Sequence, residues 1–214
     1  MKRFWSGGPG VSLRERVLGC FWGKSIGGTA GMPFEGSEEC PGLELCGLRG
    51  GGMVANDDLD LQLIWLDALE RHGASLGVSE MGRCYRAALD AHWDEYGVAL
   101  RNLGNGLEPP WSGSYDNFFV CGLGAAIRSE IWAMVFAGRP EVAARWAAAD
   151  ASIDHAGEGV DAEVFNAVVE AVLLGGGSLA EALARGKAAL PPSSLANLSS
   201  LTIESRLAVC FFPE

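Results

Sequence analysis

Apolar positions recur at helical spacing along most of the chain, and the period-two alternation that marks strands is scarce. Leu13 to about Ile26 carries Val17, Cys20, Phe21 and Lys24 at helical intervals, and Gly27-Gly28 predicts its stop. Residues 31–56 are rich in Gly and Pro without a sustained period, which predicts a loop. Loops of that length are uncommon in compact domains unless they carry function. Asp57 to His72 follows as a helix closed by Gly73. It is apolar nearly all round (Leu59, Leu61, Leu63, Ile64, Trp65, Leu66, Leu69), which predicts a place in the interior. Met81, Cys84, Tyr85, Ala88, Leu89, His92, Trp93 and Tyr96 keep the helical period. They predict one continuous helix with Ser79 as its N-cap and His92 in the core.

Beyond it, residues 101–120 read as a second long loop, bearing Pro109-Pro110-Trp111 and Phe118-Phe119. A helix is predicted from about Gly124 to Ala137. Pro140 suits the first turn of the next, which runs to about Ala151, because a missing N–H is harmless there. Asp161 to Leu174 ends at Gly175-Gly176-Gly177, and Ser178-Leu179-Ala180-Glu181 is a capping box that opens a further helix, stopped by Pro191-Pro192. No repeat and no linker divides the chain. The pattern predicts an all-α protein: a loose arm over 1–12, a helical domain over 13–192 and an irregular tail over 193–214.

Composition fits a folded globular chain. Of 214 residues, 49% are hydrophobic and 20% charged. A net charge of -11 repels phosphate backbones, which disfavours nucleic acid and anionic membranes as partners but not a small anionic ligand in a local pocket. The six cysteines include no C-x-x-C pair, which disfavours a zinc ribbon or a thioredoxin-type site. Met1-Lys2-Arg3 is followed by Ser6-Gly7-Gly8-Pro9-Gly10 rather than an apolar core, and no run is long and apolar enough to span a bilayer. A cytoplasmic protein with reduced thiols is predicted.

Several residues can carry chemistry, and each has a plainer explanation. Asp57, Asp58 and Asp60 sit where a loop becomes a helix, and acids there are favoured by the helix dipole alone. A half-buried helix start asks more of them, because unpaired buried carboxylates are costly and an oxygen-rich cluster suits Mg²⁺. Glu35, in Gly31-Met32-Pro33-Phe34-Glu35-Gly36, is a candidate base or ligand gate, and equally a solvated loop acid. His155 lies in Asp154-His155-Ala156-Gly157, where glycine permits close approach of a small molecule; a surface or capping role is the plainer reading. Gly122-Leu123-Gly124 opens a helix and offers N–H groups to a phosphate, although no strand precedes it and Lys-Ser/Thr is absent. Trp111, Tyr115, Phe118 and Phe119 can stack on an adenine or ribose face, or anchor their loop to the core.

Four segments in order resemble the ADP-ribosylglycohydrolase family. Gly19-Cys20-Phe21-Trp22-Gly23-Lys24-Ser25-Ile26-Gly27-Gly28, continued to Gly31-Met32-Pro33-Phe34-Glu35, is similar to its opening helix and Gly-x-Pro-x-Glu turn. Asn56-Asp57-Asp58-Leu59-Asp60 resembles its Thr-Asp-Asp-Thr metal motif in an Asn-Asp-Asp form. Gly122-Leu123-Gly124-Ala125-Ala126-Ile127-Arg128 resembles its glycine-rich ligand loop, and Asp150-Ala151-Ser152-Ile153-Asp154-His155 its Thr-His turn. The resemblance implies a compact orthogonal helical bundle with two central Mg²⁺ ions, Mn²⁺ being an alternative. It implies hydrolysis of the bond at the anomeric carbon of ADP-ribose linked to a protein side chain or a small group, or of a related ribosyl substrate. Asn56, Asp57 and Asp58 would be metal ligands, and Glu35, Asp57 and Asp58 would carry the catalysis. Gly122, Gly124 and His155 would contact the ligand.

The departures from the pattern are specific. Lys24 stands where many relatives carry Asp, and Cys121 where relatives often carry Asn. After residue 175 the sequence has no Asp, so the family's later Asp-x-Asp-Thr motif has no counterpart. The resemblance therefore implies a bundle incomplete at its C-terminus, with one half of the metal site supplied. Two further readings follow from that: an ADP-ribose-binding or regulatory paralogue without turnover, and a truncated inactive remnant.

Overall fold

The computed structural model describes residues 10–34, 57–90 and 92–194. The predicted arm (apart from Gly10-Val11-Ser12), most of the first loop and nearly all of the tail lie outside these residues. So do Glu35 and Asn56. Among the described residues the structure is all-α, without strands: α1 Leu13–Gly31, α2 Asp57–His72, α3 Val78–Ala88, α4 Asp94–Gly104, α5 Trp111–Ser114, α6 Glu130–Val135, α7 Pro140–Ala151, α8 Glu158–Leu174 and α9 Leu179–Ala189.

Helix α1 starts at a capping box. The Ser12 hydroxyl accepts from the Glu15 N–H, and the Glu15 carboxylate accepts from the Ser12 N–H at 2.8 Å. The predicted stop at Gly27-Gly28 is not observed, and the helix continues to Gly31. Glycine costs a helix only about 1 kcal/mol per residue, and tertiary anchoring outweighs it here. Val17, Cys20 and Phe21 pack on the core, while the Lys24 ammonium donates to the Ile127 carbonyl and the Glu130 carboxylate at 2.6 and 2.8 Å.

Helix α2 keeps its predicted limits but is not interior all round. Leu61, Gln62, Trp65 and Ala68 are buried, whereas Leu63 is 55% exposed. The continuous helix predicted through Tyr96 is two helices. Gly77, not Ser79, caps α3, and the chain is extended at Leu89 and again at Trp93 before α4 begins. The reversal depends on Gly97, where a Cβ would lie 2.6 Å from the His92 carbonyl oxygen. Leu89 packs on the core, but His92 and Trp93 swing out to solvent, so His92 is not a core residue.

The predicted helix over 124–137 is a 3₁₀ turn, Ala126–Arg128, followed by the short α6. The second long loop is partly helical, through the end of α4 and through α5. Helix α8 is the centre of the bundle and packs on α6, α7 and α9. Ala143, Ala147 and Ala151 keep α7 buried with little side-chain bulk. On α9, Gly186 lets the backbone approach α8, since a Cβ there would lie 2.9 Å from the Phe165 ring. Ser178 caps α9 by accepting from the Glu181 N–H. A run of rings, Tyr85–Trp65–Trp132–Trp146, ties α3, α2, α6 and α7 together at centroid distances of 6.2, 6.1 and 5.2 Å.

The one-sided burial of α2 is testable by urea unfolding. Trp65→Ala is expected to cost about 3–5 kcal/mol, whereas Leu63→Ala, on the same helix, should cost about 0.5 kcal/mol or less.

Candidate functional site

The site is built around a buried guanidinium. Arg128, in the 3₁₀ turn before α6, has no solvent exposure. Its Nε and Nη2 donate to Asp150 Oδ1 at 3.0 and 2.8 Å. Nη1 and Nη2 donate to Asp154 Oδ2 and Oδ1 at 2.7 and 2.9 Å, and Nη1 also reaches the Gly124 carbonyl at 3.1 Å. Asp150 lies in the last turn of α7, and its other oxygen accepts from the Trp132 indole at 2.7 Å. Asp154 accepts in addition from the Tyr85 hydroxyl at 2.9 Å.

His155 continues the network. Its Nδ1 lies 2.6 Å from Asp154 Oδ1, and its Nε2 faces Glu95 Oε1 at 3.6 Å, an ion-pair distance. Burial alone would lower its pKa, but the Asp154 carboxylate, their hydrogen bond and Glu95 outweigh that and lift it to about 9. His155 is therefore an imidazolium at neutral pH, donating from Nδ1. Burial likewise opposes ionisation of Asp154, yet Arg128 and His155 hold it well below the usual carboxylate range. Glu95 is lowered too, because His155 more than offsets its partial burial. Glu163 on α8 shows the opposite behaviour. It is fully buried, and burial followed by the charge of Asp150 raises its carboxyl well above the usual range.

The glycine loop closes on Glu95. The Gly124 N–H donates to Glu95 Oε1 at 3.2 Å, and a Cβ on Gly124 would collide with that oxygen and with the Tyr96 hydroxyl. A Cβ on Gly122 would lie 3.1 Å from Glu95 Oε2. The loop thus wraps a carboxylate of α4. Next to Glu95, the Tyr96 hydroxyl donates to Asp57 Oδ2 at 3.2 Å. Asp57 is exposed at the start of α2. It lines a cleft of about 400 Å³ with Asp60, Ile64, Leu89, Asp90 and Trp93. Asp58 is half-buried, and its carbonyl accepts from Gln62, which also donates to Glu130.

The structure therefore brings together four of the residues singled out in the sequence. Gly122, Gly124 and His155 converge on Glu95, and Asp57 is joined to them through Tyr96. Asp58 is on the same helix turn as Asp57 but turned toward Gln62's side of α2. Neither Glu95 nor Tyr96 was identified as a site residue from the sequence, where Tyr96 is only the last member of an unbroken helical period. The aromatic residues do not anchor their loop: Trp111, Tyr115 and Phe118 are 66%, 59% and 92% exposed. Asn117 does, donating to the Gly113 and Asp154 carbonyls at 2.7 and 2.8 Å.

An all-helical bundle with a buried arginine–carboxylate core, opening on an acidic cleft at a helix start, is the class of structure defined so far. The ADP-ribosylglycohydrolase family model matches residues 9–209, and the chain belongs to that family. Comparisons with curated proteins and with solved structures give no match. Among the described residues, no helix is long and apolar enough to cross a membrane.

The imidazolium predicts a pH dependence. A folded pKa raised from the ordinary 6.5 to about 9 adds stability that is fully present below the lower value and lost as pH rises through the upper one. Between pH 6 and 10 the wild type should lose about 3 kcal/mol more than His155→Gln, as read from urea unfolding at each pH.

Proposed function

We propose that the chain is a Mg²⁺-dependent hydrolase that cleaves the bond at the anomeric carbon of ADP-ribose linked to a protein side chain or a small group, or of a related ribosyl substrate. The observation that carries this reading is Asp57. Its carboxylate is exposed at an acidic cleft and oriented by Tyr96, one residue from the Glu95 carboxylate around which the glycine loop closes. The donors at the cleft are oxygens, open to solvent, and suit a hard cation that keeps part of its water shell. Asn56, Asp57 and Asp58 would hold the metal, which when bound orients ribose hydroxyls and acidifies water.

The chain's own residues do the rest. Asp57 and Asp58 fix the ribose face, and Glu35 accepts the proton of the attacking water. Departure of the leaving group builds positive charge on the sugar ring, and carboxylates near the cleft stabilise it. Gly122 and Gly124 act on the ligand through the Glu95 carboxylate that their loop encloses. His155 contributes by keeping Glu95 ionised and in place. The exposed rings of Trp111, Tyr115 and Phe118 offer stacking faces for the adenine. These residues belong to one helical domain over 13–192, flanked by the 1–12 arm and the 193–214 tail, and the cytoplasm supplies both the metal and reduced thiols.

A second reading is binding of ADP-ribose without turnover. It rests on Lys24, whose ammonium is fixed on Glu130 beside α2 at a position where many relatives carry a carboxylate.

Calorimetric titration with ADP-ribose, with and without Mg²⁺, tests both. Hydrolysis predicts Mg²⁺-dependent binding that weakens by roughly tenfold or more in Asp57→Ala and Asp58→Ala, with loss of ADP-ribose release from a modified protein. Metal-independent binding that is unchanged in both variants would establish the second reading. Absence of Mg²⁺-dependent binding at millimolar ligand would overturn the first.

A further inference from the structure

A second group of side chains converges at the opposite end of α2. We propose that His72, Glu80 and Cys84 form a binding site for a zinc-class divalent cation, separate from the acidic cleft. His72 ends α2, and Glu80 and Cys84 lie one turn apart on a single face of α3. His72 Nε2 is 3.6 Å from Glu80 Oε1 and 3.9 Å from Cys84 Sγ, and the three ligand atoms all lie within 4.8 Å of one another.

Those separations suit the cation. Bonds of roughly 2.0–2.3 Å in a tetrahedral zinc centre place neighbouring ligand atoms about 3.4–3.7 Å apart. The His72–Glu80 edge already has that length, and the His72–Cys84 edge is a few tenths of an ångström longer. The mixed N, O and S donor set selects a borderline cation such as Zn²⁺ over Mg²⁺. Asp57 stands at the other end of the helix, fifteen residues from His72 and about 22 Å along its axis.

The elements holding the donors are fixed. The 3₁₀ turn Gly73–Ser75 brings the chain back toward α3. Within it the Ser75 hydroxyl donates to the His72 carbonyl at 2.6 Å, and buried Leu76 closes the connection. Glu80 divides its carboxylate: Oε2 accepts from Arg83 Nε at 3.0 Å while Oε1 faces His72. This is the arrangement in which an outer partner orients a ligand oxygen. Cys84 is nearly buried, and the His72 and Glu80 side chains are each about a third exposed, so a fourth position opens to water. Burial and the neighbouring Glu80 both favour the protonated thiol when no metal is present. Binding therefore releases the Cys84 proton to solvent and leaves a neutral centre: a dication, one thiolate, one carboxylate and a neutral imidazole.

The plainer reading is a His72–Glu80 ion pair with a bystander thiol, and Co²⁺ separates the two. The chelator-treated full chain is titrated with Co²⁺ and followed by absorption. One equivalent should produce the near-ultraviolet band of a thiolate–cobalt bond, and Zn²⁺ should displace it. Cys84→Ser should abolish the band, and His72→Ala and Glu80→Gln should each weaken Co²⁺ binding by roughly tenfold or more. Asp57→Ala should leave it intact, which separates this site from the cleft. Urea unfolding confirms that each variant is folded. Absence of the band in the wild type, or a band of equal strength in Cys84→Ser, would overturn the proposal.

Discussion

Burying a guanidinium is expensive, and Arg128 is buried completely. Two carboxylates answer the cost, both presented by the segment that ends α7 and turns toward α8. The fork geometry of arginine leaves little choice of arrangement. Nε and Nη2 take Asp150, Nη1 and Nη2 take Asp154, and the remaining capacity reaches the Gly124 carbonyl. This fixes three backbone segments against one another: the glycine loop, the end of α7 and the turn that carries His155. Such a cluster need not add net stability over apolar packing, but removing one member strands the others. Its contribution is to position the loop and the His155 turn.

Positioning then propagates outward by shared acceptors. Asp154 holds Arg128, Tyr85 and His155 at once, so the imidazolium is aimed at Glu95 from a side chain that cannot rotate without losing two other partners. Glu95 in turn receives the Gly124 N–H, and its neighbour Tyr96 reaches Asp57. A chain of polar contacts therefore runs from a site without solvent exposure to a carboxylate at an open cleft. Arg128 and Asp154 each engage three groups, and His155 and Glu95, nearer the surface, two each. The rigid end of the network is the arginine, and the adaptable end is where a ligand would enter.

Sequence reading succeeded where local chemistry ends an element. Gly73 after α2, Pro140 at the start of α7 and Ser178 with Glu181 at α9 act within one turn of the residues they affect, and all three limits are observed. It failed where distant contacts decide. Gly27-Gly28 does not stop α1, because Lys24 is held by a partner more than a hundred residues away. The unbroken period from Met81 to Tyr96 conceals a reversal set by the space that Gly97 leaves for the His92 carbonyl. That reversal also hid Glu95 and Tyr96, since their approach to the glycine loop exists only when α4 is a separate helix. The family motifs were legible as strings, and Arg128, Asp150 and Asp154 lie within them. Their mutual contact is a property of the packed bundle.

The acidity of the chain bears on the proposed reaction in a particular way. The cleft is lined by Asp57, Asp60 and Asp90, and Glu95 lies behind Tyr96. A diphosphate in the proposed reaction would meet like charge on several sides, and the Gly124 N–H is already committed to Glu95. His155 cannot compensate, because its charge is directed inward, between Asp154 and Glu95. Among the described residues, no side chain lining the cleft is basic. A divalent cation on the Asp57 carboxylate would supply positive charge there. Under the proposed reaction, the acidic lining and the metal dependence are one feature: the carboxylates that would repel the anion alone are those that would hold its cation.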